Sequence, residues 1–198
     1  MTSQKLPSVV LLHGFRGSPL GLEAIAQDLQ KAGYPVYVPA VPPFAGARDL
    51  TEYSPEKYAE YFAQYIIEHE LDRPVLVGHS MGSIIASAIA SLKSELVNHK
   101  IVLLSPISRK TSKAISAVSP LAGIVPTKVS DYVTTQYLFV PRHNKALFRE
   151  SLQITHACSN DCPPSKKMLS QVTKFTTNYA VPDFPLEGKK VLIIAGEK

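Results

Sequence analysis

VLVGHSMGS, residues 75–83, joins a short apolar run to a helix-forming segment through Gly78-His79-Ser80-Met81-Gly82. The run before it, PVLVGH (74–79), is continuously apolar, as expected of a strand buried on both faces of a parallel sheet. The segment after it, IIASAIASL, has helical composition. Ser80 therefore sits on a strand-to-helix turn. The glycines two residues either side leave room where side chains would collide with so tight a turn. Such a turn lifts the serine hydroxyl clear of the sheet and aims the first helical N–H groups at whatever it attacks.

Outward from this point the same rhythm recurs. SVVLLH (8–13), YPVYVP (34–39), KIVLLS (100–105) and KVLIIA (190–195) read as further buried strands. Between them, Ser18-Pro19 opens a helix carrying Leu22, Ile25, Ala26 and Leu29 on one stripe, with Gly33 as its stop. Ser54-Pro55 opens a second helix with Tyr58, Phe62, Tyr65 and Ile66 on one face. Strand and helix alternating in this way predict an α/β fold, a doubly wound and mostly parallel sheet with right-handed crossovers. The alternation stops at Pro106 and resumes only at Lys190. Residues 106–185 read as a helical insertion over the sheet, a lid before the last strand present. Residues 1–105 and 186–198 form the core.

Ligands of doubly wound sheets sit beyond the C-terminal strand ends, where Ser80 lies. Acyl transfer needs two donors on the developing oxyanion. The N–H of Met81 is one; the other is assigned to Phe15, in the loop His13-Gly14-Phe15 after the first strand. His13 is expected to order that loop rather than act as a base. His79 is expected to point away from Ser80.

VVLLHGF (9–15), VLVGHSMG (75–82), IVLLSP (101–106) and VLIIAGEK (191–198) together resemble the α/β-hydrolase superfamily, of the lidded serine esterase and lipase kind. The resemblance spans the whole chain. It implies Ser80 as nucleophile, Phe15 and Met81 as oxyanion donors, and Gly14, Gly78, His79 and Gly82 as support for the loop and elbow. It also implies an Asp and then a His after the serine. AVPPFAG departs from the Pro-Gly-His-Gly turn of many such proteins.

His99 precedes a strand, at the wrong end of the sheet. His143, His156, Asp131, Asp161 and Asp183 all fall in the insertion, where nothing in the sequence orients them as a triad requires. The acid and base are therefore expected beyond Lys198, the chain being read as truncated before them and impaired on its own. Related chemistries of the same fold that use an Asp nucleophile do not suit a serine here. The expected function is cleavage of a carboxylic ester or thioester of a small molecule through an acyl-enzyme on Ser80. A non-catalytic ligand-binding protein, or a complementing fragment on the same scaffold, is the competing expectation.

Composition narrows the partners. Residues 1–105 carry 8 Lys/Arg against 10 Asp/Glu, and residues 106–198 carry 13 against 6, within a net charge of +5. The cations are scattered and lack interleaved aromatics, which argues against nucleic acid. No apolar run reaches the roughly 18 residues of a membrane span, and no secretory signal pattern opens the chain, so a cytoplasmic location without stable membrane insertion is expected. Cys158 and Cys162, even with His156, do not complete a zinc set. No metal is expected. No cofactor is expected either, since GFRGSPLG lacks dinucleotide-binding spacing.

Overall fold

The structure, a computed structural model, describes residues 6–109, 146, 149, 152–154, 157 and 164–195. The expectations for His143, His156, Asp131, Asp161, Cys158 and Cys162, and most of 106–185, lie outside the described residues.

Among the described residues five parallel strands form one sheet: β1 (Val9–Leu12), β2 (Val36–Tyr37), β3 (Val75–His79), β4 (Lys100–Leu104) and β5 (Lys190–Ile194), in the spatial order β2-β1-β3-β4-β5. β1 pairs with β2 on one side (Val9 opposite Val36) and with β3 on the other (Val9 opposite Val75). The chain thus winds one way from β1 to β2 and the other way from β3 onward. The reversal opens a crevice between the C-terminal ends of β1 and β3.

Alternation along the strands sorts the core into two layers. Val9, Leu11 and Val77 face Leu22 and Ala26 at helix α1 (Glu23–Lys31). Val10, Leu12, Leu76, Ile101 and Leu103 face the other way. There they meet α2 (Pro55–Glu68) and α3 (Met81–Leu92), whose Tyr58, Phe62, Ile84, Ile85 and Ile89 are fully buried. A further helix, α4 (Lys166–Asn178), adds Leu169, Val172 and Phe175 to that layer, with the Phe175 ring 4.8 Å from that of Tyr58.

Local chemistry sets the element ends. Ser54 caps α2 by accepting the Lys57 N–H at 3.3 Å, and Pro55 opens the helix; both were legible. Ser18-Pro19 opens instead a single 3₁₀ turn, Pro19–Leu22, closed by the Gly21 N–H on the Ser18 carbonyl at 3.1 Å, before α1 begins. Glycine in that turn disfavours the α form. Gly33 ends the segment with φ +88. β2 keeps only two of its expected six residues, because Pro35 and Pro39 bring no N–H to a ladder. β5 lies at the edge with Leu192, Ile193 and Ile194 more than half exposed. Among the described residues no helix is long and apolar enough to cross a membrane.

Candidate active site

Ser80 follows β3 directly and holds φ 52 and ψ −116, a left-handed conformation that serine adopts only under constraint. The constraint comes from three sides. The Ser80 N–H donates to the Leu104 carbonyl at 3.0 Å, which ties the elbow to the end of β4. Its own carbonyl accepts the Ser83 N–H at 2.9 Å and the Ser83 hydroxyl. Below it, the first turn of α3 lies directly on β3 and β1. A Cβ on Gly78 would run into the Gly82 carbonyl, and one on Gly82 would run into the Leu12 carbonyl. Glycine at both positions is what lets helix and strands touch backbone to backbone.

The loop after β1 supplies the opposite wall. Gly14 packs so close that a Cβ there would stand 3.0 Å from the Ser80 Cβ. The Gly17 N–H donates to the Gly14 carbonyl at 3.0 Å, folding His13–Gly17 into a tight turn, with Arg16 at φ 55. The loop that carries Phe15 thus lies against Ser80 through Gly14.

His13 is 2 % exposed and both its ring nitrogens are engaged. Nε2 accepts the Val41 N–H at 2.9 Å, and Nδ1 lies 3.0 Å from the Gly14 carbonyl. A backbone N–H can only donate, so Nε2 is bare and Nδ1–H donates to Gly14. Burial pulls the imidazole down to about 4, with the Gly14 carbonyl opposing and His79 assisting. His13 is a neutral strut between two loops. The loop it holds, 41–44, is also fastened by the Tyr58 hydroxyl donating to the Pro42 carbonyl at 2.7 Å. From that loop Phe44 sets its ring edge-on to Phe15, centroids 5.5 Å apart. Nothing in AVPPFAG by itself signalled this bracing; only a histidine with two buried backbone partners reveals it.

The depressed His13 value has a consequence for stability. A group whose folded value lies below its unfolded one (near 6.5) takes up a proton more readily when unfolded, so stability falls as pH drops through that window. Acidification from pH 7 to 4.5 should remove about 2 kcal/mol through His13. Urea midpoints at the two pH values check this, and a His13→Gln variant should lose most of that pH dependence. An equal dependence in the variant would show that other groups carry it.

His79 is half-buried, and burial lowers its proton affinity too. His99 stands at the start of β4, where its carbonyl accepts the Lys190 N–H at 2.6 Å, on the sheet edge opposite Ser80. Asp183 accepts the Ala180 N–H at 2.9 Å. Among the described residues no group of three His, Cys, Asp or Glu side chains is placed to hold a metal ion.

This arrangement has counterparts. The profile of the alpha/beta hydrolase family matches residues 9–197. A putative esterase/lipase 3 from Mycoplasma genitalium is 32% identical over 105 residues, which is 52% of this chain and 38% of that protein. The chain thus spans well under half the length of that relative. Among solved structures, an esterase from Exiguobacterium antarcticum superposes with a TM-score of 0.78 at 18% identity, covering 94% of this chain and 72% of its own. A carboxylesterase study of Nitrososphaera gargenis provides another, with a TM-score of 0.77 at 19% identity over 98% of this chain and 73% of that one. At such identities the likeness is one of fold.

Proposed function

The chain belongs to the alpha/beta hydrolase family, and from that membership we propose that it is a serine hydrolase of small carboxylic esters or thioesters, with Ser80 as nucleophile. The observation that carries the reading is the strained backbone of Ser80 at the β3–α3 turn, held within contact of the loop after β1. Strain of this kind, of order 1–3 kcal/mol, persists where the surroundings over-determine it, and it clusters at functional sites.

In this reading the Ser80 hydroxyl oxygen attacks the acyl carbonyl carbon while its proton passes to a general base. The carbonyl oxygen becomes an oxyanion between the N–H groups of Met81 and Phe15. Collapse expels the alcohol or thiol, which takes the proton, and leaves the acyl group on Ser80. Water then attacks the acyl-enzyme by the same route in reverse and frees the acid. Gly14, Gly78 and Gly82 set the backbone distances, and His13 braces the Phe15 loop. Base and acid are assigned to no described residue.

The test is intact-mass analysis after exposure to a fluorophosphonate, beside a Ser80→Ala control. One adduct, absent from the control, is expected. A folded protein that takes no adduct, and still takes none when extended past Lys198, would favour a ligand-binding scaffold instead.

A further inference from the structure

Ser83 lies in the first turn of α3, completely buried, and shares the inner side of that helix with Met, Ile, Ala, Gly and one other serine, Ser87, whose hydroxyl donates to the Ser83 carbonyl at 2.8 Å. Its hydroxyl is used twice. Oγ donates to the Ser80 carbonyl and accepts the Ile107 N–H at 3.2 Å. The Ile107 carbonyl accepts the Val181 N–H at 2.9 Å. Ile107 stands just after β4, and Val181 just beyond α4 on the way back to β5. One hydroxyl therefore joins the elbow to the place where the chain leaves the core and, through one more bond, to the place where it returns.

The Ser80 carbonyl matters because of what shares its peptide plane. In a trans peptide the C=O of one residue and the N–H of the next point in opposite directions. Whatever fixes the Ser80 carbonyl also fixes the Met81 N–H. That N–H is the oxyanion donor proposed above. Without Oγ the Ser80 carbonyl keeps only the Ser83 N–H, and the Ile107 N–H loses its acceptor.

Resting on the assignment of Ser80 as nucleophile, we propose that Ser83 is a positioning residue: its hydroxyl sets the direction of the Met81 N–H and registers it to Ile107 and Val181. A hydroxyl serving only to fill space would not need an amide 24 residues away. Deleting an oxyanion donor outright costs about 100- to 1000-fold in turnover. Loosening one by removing its brace should cost about tenfold, and because the oxyanion forms only in the transition state, kcat should fall while KM stays within about twofold.

The experiment compares wild type with Ser83→Ala and Ser83→Cys, the latter keeping the volume but hydrogen-bonding weakly. Amide hydrogen exchange is read at Met81, Ile107 and Val181, and ester hydrolysis is followed in parallel. Both variants should exchange Ile107 at least about tenfold faster than wild type, with β3 amides unchanged and kcat lowered as above. Unchanged exchange at Ile107 overturns the clamp. Recovery of wild-type kcat by Ser83→Cys reduces Ser83 to packing and overturns the positioning role. A wild type that neither labels nor turns over, even when extended past Lys198, means that the assignment of Ser80 has failed, and the exchange data alone then decide whether Ser83 holds the elbow to Ile107.

Discussion

Gly82→Ala is expected to destabilise the protein by about 3 kcal/mol or more, a large part of the 5–15 kcal/mol that holds a typical domain together. The added methyl would meet the Leu12 carbonyl oxygen well inside van der Waals contact, with the Leu12 carbon at 2.8 Å and the His13 oxygen at 2.9 Å. All three are backbone atoms at the end of a central strand, so no rotamer change relieves the clash. α3 must lift away from β1, and the buried side of α3 carries Ile84, Ile85 and Ile89 with it. Gly78→Ala attacks the same seam from the other side, its methyl facing the Gly82 carbonyl group and the Ser83 Cα at 2.7 Å. Because both alanines pry open one joint, the double variant should lose less than the sum of the two losses, by about 1 kcal/mol. Urea unfolding of the three variants checks both statements. A fully folded Gly82→Ala with an unchanged midpoint would mean that helix and strand do not lie in backbone contact.

The second large effect is on turnover. In protein that includes the expected acid and base, Ser80→Ala should lower ester hydrolysis by about four to six orders of magnitude, the remainder coming from the proposed oxyanion donors and binding. Stability should hardly move, because alanine keeps the Cβ that packs on Gly14 and inherits the same left-handed backbone. Ser80→Gly should be equally inactive yet gain up to about 1 kcal/mol, since glycine adopts φ 52 without strain and gives back part of that gain as unfolded-state entropy. The pair separates chemistry from conformation. If Ser80→Gly unfolds at lower denaturant than Ser80→Ala, the elbow is not under strain.

Most of the sheet was legible because buried parallel strands read as unbroken apolar runs. VVLL, VLVGH, KIVLL and KVLII all form strands where the sequence put them. β2 shrank because proline withholds ladder donors, a matter of two positions that apolar content hides. The place of Ser80 between strand and helix was visible from five residues. What escaped was what holds the turn. Ser83 sits where the helical pattern is mostly apolar, and a small hydroxyl there looks neutral until Ile107, distant in sequence, is found on it. His13 was expected to order its loop, but its partner Val41, and the help of Phe44 and Tyr58, join segments tens of residues apart. Such pairings leave no periodicity in a single sequence.

The register of β1 also has a temporal side. Its neighbours are β2, through two residue pairs, and β3, whose Val75 sits opposite Val9. On a ribosome adding about 5–20 residues per second, Val9 waits roughly 3–13 s before Val75 has even been made. For that interval VVLL is a strand with one short partner and an open side. The crevice between β1 and β3 thus cannot begin to close until β3 has been made. Sequence changes that speed pairing of β1 with β2, or shield β1 while it waits, should act on the yield of folded protein rather than on its final stability.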